Sequence, residues 1–600
     1  MPARSPWRIS NAAEILAAIL LIGALLSIQV LIGGTRLLFA LPAYGLLGII
    51  GVLSLSSFRS VKPLPDQFCL WSALVFFGYI LVRAIFSPAP YLARFDIYSV
   101  IAGLVLYFFI ACVLTSAKAR MWILACLLAA ALVHVFVGVI QFTGGNNFMP
   151  ISFLQRFDYG RRASGFYICP NHLAGLLEVL GIFGLSMVCW SRWPVWSKLL
   201  LGYATVACYA GVLLSGSRGG YLSTAASILI FGVLSAGILR AAGARTFLRL
   251  GIPIALAAVI AMGAAALLIH RSEDLKDRTR NIVDNKDIRL DLWQAAIEQW
   301  KLEPLLGTGS RTYQFYGRQF RTEQMQRDPI YAHNDYLQLL SDYGIVGLGT
   351  FALFLVPHLR QGLRVARRMG GKRVAASFRL ASNTMALNMG ALGAIAAYLV
   401  HSVFDFNLHI PANALLMAFV FGIITNPGIQ FDNSDRKSGS SIIFWKLLLA
   451  VAAAILLVQV WRFAPGEYFA EKARISLRDN RYFSAVAFAS EGLKHEKEDP
   501  NLFYYLGRAK TLAGDAQANP EAKRSFYEAA LGAFEMARKL VPLDEVYVLE
   551  LAFTYDALTR FEEAEWMYNE ALGLDPKSTS AKLYYTTHLD RWRASGATTN

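Results

Sequence analysis

Charged side chains are scarce in this chain. Asp, Glu, Lys and Arg supply 16% of its 600 residues, against about 25% in soluble domains, which excludes a soluble globular protein of this length. Cysteine is scarcer: Cys69, Cys112, Cys126, Cys169, Cys189 and Cys208 are all there is, mostly inside apolar runs. No CxxC or metal-like spacing occurs, so no disulfide framework is implied. Acids are the minority charge, 41 against 57 Lys and Arg, for a net +16. On a soluble chain that excess would point to nucleic acid. Here the cytoplasmic loops of a membrane protein account for it, and no nucleic-acid partner is expected.

Long apolar runs stand where the charge is missing. The chain is 56% hydrophobic, with a mean hydropathy of +0.43. The runs recur from residue 12 to about residue 461, many near the ~20 residues that span a bilayer. The first, after Arg4 and Arg8, is too long for a signal peptide's apolar region and reads as an uncleaved anchor. Spans are expected at 12–32, 37–56, 68–86, 97–115, 121–142, 172–190, 198–215, 220–239, 248–269, 336–358, 383–404, 411–427 and 442–462. The fold class is therefore all-α, a polytopic membrane bundle of about 13 spans. Residues 1–465 form the membrane domain and 466–600 a separate soluble one.

Basic residues orient the bundle. Arg59 and Lys62, Lys118 and Arg120, Arg192 and Lys198, Arg240, Arg245 and Arg249, and the cluster from Arg360 to Arg373 fall on one side. The positive-inside rule makes that side cytoplasmic. The opposite side receives the loop 143–171, the turn Ser215–Gly220, the large loop 270–335, the turn Ser402–Ile410 and the C-terminal domain. Arg156, Arg161, Arg162, Arg218 and Arg289 lie in these outer segments against the charge bias, and such local breaches often mark function.

The C-terminal segment carries a repeat. Pro542 and Pro576 end similar helical segments 34 positions apart, the tetratricopeptide period. An earlier unit ends at Pro500. Two or three such repeats are expected, a fold that binds peptides or partner proteins; a small helical cap is the simpler alternative.

Four outer motifs belong together. They are Arg162 with Gly165 and Pro170-Asn171; Ser217-Arg218-Gly219; Arg289 and Trp293 followed by Pro304 and Gly307-Thr308-Gly309; and His333-Asn334 followed by Gly344 and Gly347. His401, Asp405 and Pro411 extend the series. In this order and spacing they resemble the O-antigen ligase and O-antigen polymerase family of membrane glycosyltransferases, over roughly residues 150–425. The C-terminal repeats are an addition to the simplest members.

The resemblance implies a bacterial cytoplasmic-membrane enzyme that works on the periplasmic face. It moves a glycan from a polyprenyl-pyrophosphate carrier to an acceptor hydroxyl, without metal or cofactor and with inversion. A lipid A-core sugar is the first expectation for the acceptor. A growing glycan (a polymerase) or a protein (an O-oligosaccharyltransferase) are the alternatives. Guanidinium forks match phosphate oxygens at any relevant pH, so Arg218 and Arg289 are expected on the pyrophosphate, with Arg162 assisting. A sugar hydroxyl needs proton removal, so His333 is expected as base or acceptor-orienting group. Asn334 and Asp335 are its possible orienting neighbours; Asn171, Gly307, Gly309 and Trp293 are expected to contribute to substrate binding. Competing readings remain for single residues: lipid-headgroup binding for the arginines, packing for His333, a plain turn at Gly307–Gly309, and a turn-fixing polar pair at His401 and Asp405. A transporter is disfavoured because few ionisable residues are expected in mid-span and no inverted repeat is evident.

Overall fold

The computed structural model describes residues 7–57, 63–242, 288–370, 381–429 and 439–596. The span expected at 248–269 and the first part of the large outer loop lie outside them. All regular structure among the described residues is helical. In chain order the α-helices are α1 (Trp7–Val30), α2 (Leu37–Leu53), α3 (Gln67–Ile85), α4 (Pro90–Phe108), α5 (Ala117–Gly144), α6 (Pro170–Trp190), α7 (Val195–Ser215), α8 (Arg218–Ala242), α9 (Arg289–Leu302), α10 (Tyr313–Gln319), α11 (Asp335–Met369), α12 (Asn383–His401), α13 (Pro411–Thr425), α14 (Gly439–Arg478), α15 (Tyr482–His495), α16 (Pro500–Asp515), α17 (Pro520–Leu540), α18 (Glu545–Ala557), α19 (Phe561–Leu574) and α20 (Thr579–Ala594).

Among the described residues nine helices are long and apolar enough to cross a membrane: α3 to α8, α11, α12 and α14. Apolar stretches in α1, α2 and α13 are shorter, at 10–17 residues. The chain is thus built as a multi-pass membrane protein. Two helices outrun their expected spans. α11 continues to Met369, and α14 continues through Pro465 to Arg478, so the chain is helical across residue 465.

The described residues fall into two compact units. The first lies within Met1–Tyr79, Tyr98–Asn285 and Gly349–Val458, the second within Ile80–Ile97, Lys286–Leu348 and Gln459–Asn600. The second unit therefore combines the C-terminal helices with the α3–α4 turn and the described part of the outer loop.

In the first unit α6 and α12 form the centre. Their apolar windows are 83% buried, against 33–44% for α5, α7 and α8, and α6 packs on α7 and α12 while α12 packs on α8. Small residues make the approach possible. A Cβ on Gly390 would lie 2.5 Å from Phe183, and one on Gly393 2.6 Å from Ile182. In a membrane, where no hydrophobic effect pulls helices together, such close backbone packing is a main source of association.

In the second unit the C-terminal helices stack in sequence, α15 on α16, α16 on α17, α17 on α18, α18 on α19 and α19 on α20. A core of Ala530, Phe534, Val548, Leu551, Ala564 and Tyr568 runs through the later ones. Asp499, Asn519, Asp544 and Ser578 cap α16, α17, α18 and α20 with their side chains, each worth ~1 kcal/mol.

Glu545, in the first turn of α18, is buried beside Asp575. Burial, then the Asp575 charge, push its carboxyl up to about 8, with Arg318 opposing. The folded state therefore holds a proton that the unfolded chain releases near pH 4.5. This contribution to stability is present below about pH 4.5 and is lost as pH rises through about 8. Amide exchange of α18 in the purified full-length protein, corrected for intrinsic rates, should show weaker protection at pH 8.5 than at pH 6. Equal protection at both would refute it.

Candidate functional site

Arg162, Asn171 and Arg218 belong to the first unit. The loop after α5 is tied down by Gln141, whose Oε1 accepts from the amides of Ser164 (2.8 Å) and Gly165 (3.0 Å). Arg156 donates to the Arg162 carbonyl (2.8 Å) and to Ser164 Oγ (2.9 Å). Arg162 then reaches the turn between α7 and α8: Nε donates to the Ser215 carbonyl (2.8 Å) and Nη2 to Asn171 Oδ1 (2.8 Å). Gly216 adopts φ 62° and ends α7, and Ser217 Oγ accepts from the Gly220 amide (3.1 Å) at the start of α8. Arg218 is the first residue of α8. Expected in the Ser215–Gly220 turn, it stands at a helix N-terminus, where the helix dipole favours an anion. Arg162 and Asn171 form one hydrogen-bonded group that braces this turn.

Directly beneath, a buried polar group crosses three helices. Glu178 accepts from Ser223 Oγ and pairs with His401 Nδ1 (3.0 Å). A Cβ on Gly219 would lie 3.2 Å from the His401 ring, so the Arg218–Gly219 backbone rests on that histidine. His401 thus pairs with Glu178 from α6, a partner that sequence proximity to Asp405 does not predict.

Arg289, Trp293, Gly307, Gly309, His333 and Asn334 belong to the second unit. Arg289 begins α9, and Trp293 follows one turn later on the same face. The Trp293 indole points at the His333 carbonyl (3.5 Å). His333 has φ 50°, one of five non-glycine residues with positive φ among those described. Both its neighbours are fixed. The Ala332 amide donates to Gln338 Oε1 (2.8 Å), and Asn334 Oδ1 accepts from the amides of Tyr336 and Leu337 (3.0 Å each). Asn334 is therefore the buried cap of α11, directly after His333.

Gly307 and Gly309 have a structural task. α11 is broken at Gly344 (φ 68°, ψ −171°), a conformation open essentially to glycine alone. The segment 304–309 lies along the break and takes over its hydrogen bonds. Thr308 and Gly309 amides donate to the Ser341 and Asp342 carbonyls (3.1 and 3.0 Å), and Ile345 and Val346 amides donate to Pro304 and Leu305 (3.0 and 3.2 Å). Buried backbone groups are thereby satisfied where the helix cannot do so. A Cβ on Gly307 would sit 2.4 Å from Asp342 backbone.

Several residues at this site escape sequence reading. Gln299 Nε2 donates to Thr308 Oγ1 (2.7 Å), Thr312 Oγ1 (3.1 Å) and Asp342 Oδ1 (3.1 Å), and Gln338 Nε2 donates to Asp342 Oδ2 (2.8 Å). This network links α9, the 304–312 segment and the start of α11. Arg311 pairs with Asp96 (2.7 Å) and donates to the Tyr331 hydroxyl. Each is a common residue type in a polar loop, and no local pattern announces the partners. The described residues contain one carboxylate group close enough to hold a metal ion, Glu467, Glu496 and Asp499. Arg94 bonds to both glutamates, so a guanidinium already supplies the positive charge there.

Comparison with curated proteins yields no match. A family model described as O-antigen ligase matches residues 203–352, from within α7 to within α11. Arg218, Arg289 and His333 fall inside the matched stretch; Arg162 and Asn171 precede it. Residues 203–352 are thus similar to the O-antigen ligase family, and this similarity supports glycan transfer of the ligase or polymerase type.

Proposed function

We propose that this protein transfers a glycan from a polyprenyl-pyrophosphate carrier to an acceptor hydroxyl, in the manner of an O-antigen ligase, on the periplasmic face of the bacterial cytoplasmic membrane. The observation that carries the reading is the family match over the stretch that holds Arg218, Arg289 and His333. His333 takes the acceptor proton. Arg289 and Arg218 each bind pyrophosphate oxygens, and they oppose the charge that builds on the departing oxygen. Arg162 and Asn171 act on the turn that carries Arg218. Trp293 and Asn334 orient His333, and Gly307 and Gly309 keep the adjoining break in shape. The departing pyrophosphate needs no acid partner. The C-terminal helices are read as tetratricopeptide-type repeats. A growing glycan as acceptor, which would make the protein a polymerase, uses the same donor chemistry.

The test is a strain lacking the gene, complemented with wild type, Arg218→Ala or Arg289→Ala, with surface glycans resolved on gels. Both variants are expected to insert at wild-type levels and to leave lipopolysaccharide core without long chains while carrier-linked polymer accumulates. Cores bearing single repeat units would identify the polymerase. Normal glycans from both variants would overturn the reading.

A further inference from the structure

The three turns that open the helix pairs of the C-terminal stack each present an aspartate: Asp499 before Pro500, Asp544 after Pro542, and Asp575 before Pro576. Asp499 caps its own helix, accepting from the Asn501 and Leu502 amides, and Asp544 accepts from Val546. Capping alone would leave these carboxylates facing water. Instead each meets an arginine from outside the stack. Arg94, near the start of α4, bonds Glu496 and Glu467 and lies 4.0 Å from Asp499. Arg318, at the end of α10, donates to Asp544 (2.8 Å). Arg321 grips Asp575 with both Nε (2.8 Å) and Nη2. That last pair is almost sealed, the side chains being 2% and 0% exposed.

An apolar contact runs between the polar ones: Phe315 of α10 packs with Ala537, Val541 and Tyr547. Beyond Arg321 the loop stays attached. Gln326 donates to the Lys577 carbonyl (3.0 Å) and accepts from Thr579 (2.8 Å), Met325 and Ala332 share a core with Leu292 and Tyr313, and Tyr331 receives Arg311. The next residue after Ala332 is His333.

We infer that the C-terminal stack is an intramolecular clamp. Its acidic turns meet α4 through Arg94 and dock the chain's own outer loop through Arg318 and Arg321, and so position His333. This edge of the stack is occupied in cis and is not open to a separate protein. Three arginines meet three successive acidic turns, and a slip by one repeat would leave the charges at the ends buried without a partner, which is strongly unfavourable. Arg318, Arg321, Asp544 and Asp575 are positioning residues, since none touches a reacting atom. The catalytic half of the inference rests on the proposed function.

The experiment uses the full-length protein in nanodiscs as wild type, Arg321→Ala, Asp575→Ala and the exchanged pair Arg321→Asp with Asp575→Arg. Amide exchange over 320–335 reports docking, exchange over α16 and α17 reports integrity of the stack, and transfer from a lipid-linked glycan gives kcat and KM. Each single variant should lose protection over 320–335 while α16 and α17 keep theirs. It should also lose ~10²-fold in kcat, the scale of a catalytic group displaced by about 1 Å, with KM for the donor little changed. The exchanged pair should recover protection and kcat together. Unchanged protection over 320–335 in both single variants overturns the clamp. Lost protection with unaltered kcat overturns the positioning role. If His333→Ala itself transfers normally, the assignment of the base has failed, and the exchange data still decide the clamp.

Discussion

His333→Gly is expected to yield a protein at least as stable as wild type that has lost transfer. At φ 50° an L-residue is held in the left-handed region at a cost of ~1–2 kcal/mol, and glycine adopts it freely. Strain of this kind clusters at active sites, although Ile32, Arg311, Asn480 and Thr559 also have positive φ. The surroundings show what holds it, with Trp293 on its carbonyl, Gln338 on the preceding amide and Asn334 capping the helix that follows. Removal of a general base typically lowers kcat ~10²–10⁴-fold, so both His333→Gly and His333→Ala should fall in that range. Added imidazole should restore part of the rate to the glycine variant, whose side-chain volume is vacant. Thermal unfolding and single-turnover transfer on the same preparations decide the matter. A glycine variant that is active, or one that is clearly less stable than wild type, would remove His333 from the role of base.

Gly344→Ala is expected to be the most damaging small substitution in the second unit. Its Cβ would sit 2.2 Å from the Leu305 carbonyl oxygen and 2.6 Å from the Gly307 amide nitrogen, both backbone atoms that cannot rotate away. The φ of 68° with ψ −171° adds conformational strain. Together these exceed about 3 kcal/mol. If the break in α11 is forced into regular helix, the hydrogen bonds from Ile345 and Val346 to Pro304 and Leu305 go with it. The Gln299–Asp342–Gln338 network that reaches the Ala332 amide should then loosen. Gly349→Ala is the control: nothing lies within 4 Å of its Cβ position, so in a helix it should be neutral or gain ~0.5–1 kcal/mol. Yield and melting temperature of the two variants in detergent test the pair. Equal behaviour would show that the break is not a requirement of the fold.

Much of this was legible in the chain itself. The apolar runs of ~20 residues announce helices because a bilayer offers backbone groups no other partner, and among the described residues nine helices are long and apolar enough to cross a membrane. The prolines at 500, 542 and 576 mark the turns of the C-terminal stack because proline is favoured in a helix's first turn and breaks its interior. Glycines 307, 309 and 344 stand out for the same local reason: each has a positive φ. Partner choice was not legible. Arg162 is expected at the pyrophosphate, and that its guanidinium also donates to the Ser215 carbonyl, 53 positions on, is announced by no local pattern. His401 also pairs with Glu178, 223 positions before it. Arg318 and Arg321 carry no motif, yet they meet aspartates 226 and 254 positions on.

What the sequence by itself determined is therefore what has a short physical range: the membrane class, the presence of the helices, the turn glycines, and the residue types competent for phosphate binding and proton transfer. Only the tertiary structure decided which guanidinium meets which acid, that α11 is broken and held open by the 304–309 segment, and that the C-terminal stack grips the loop leading to His333. The reason is physical. Helix formation and capping are settled within about four residues by backbone geometry, whereas a buried charge is satisfied by whichever partner the folded chain brings to it, at any separation.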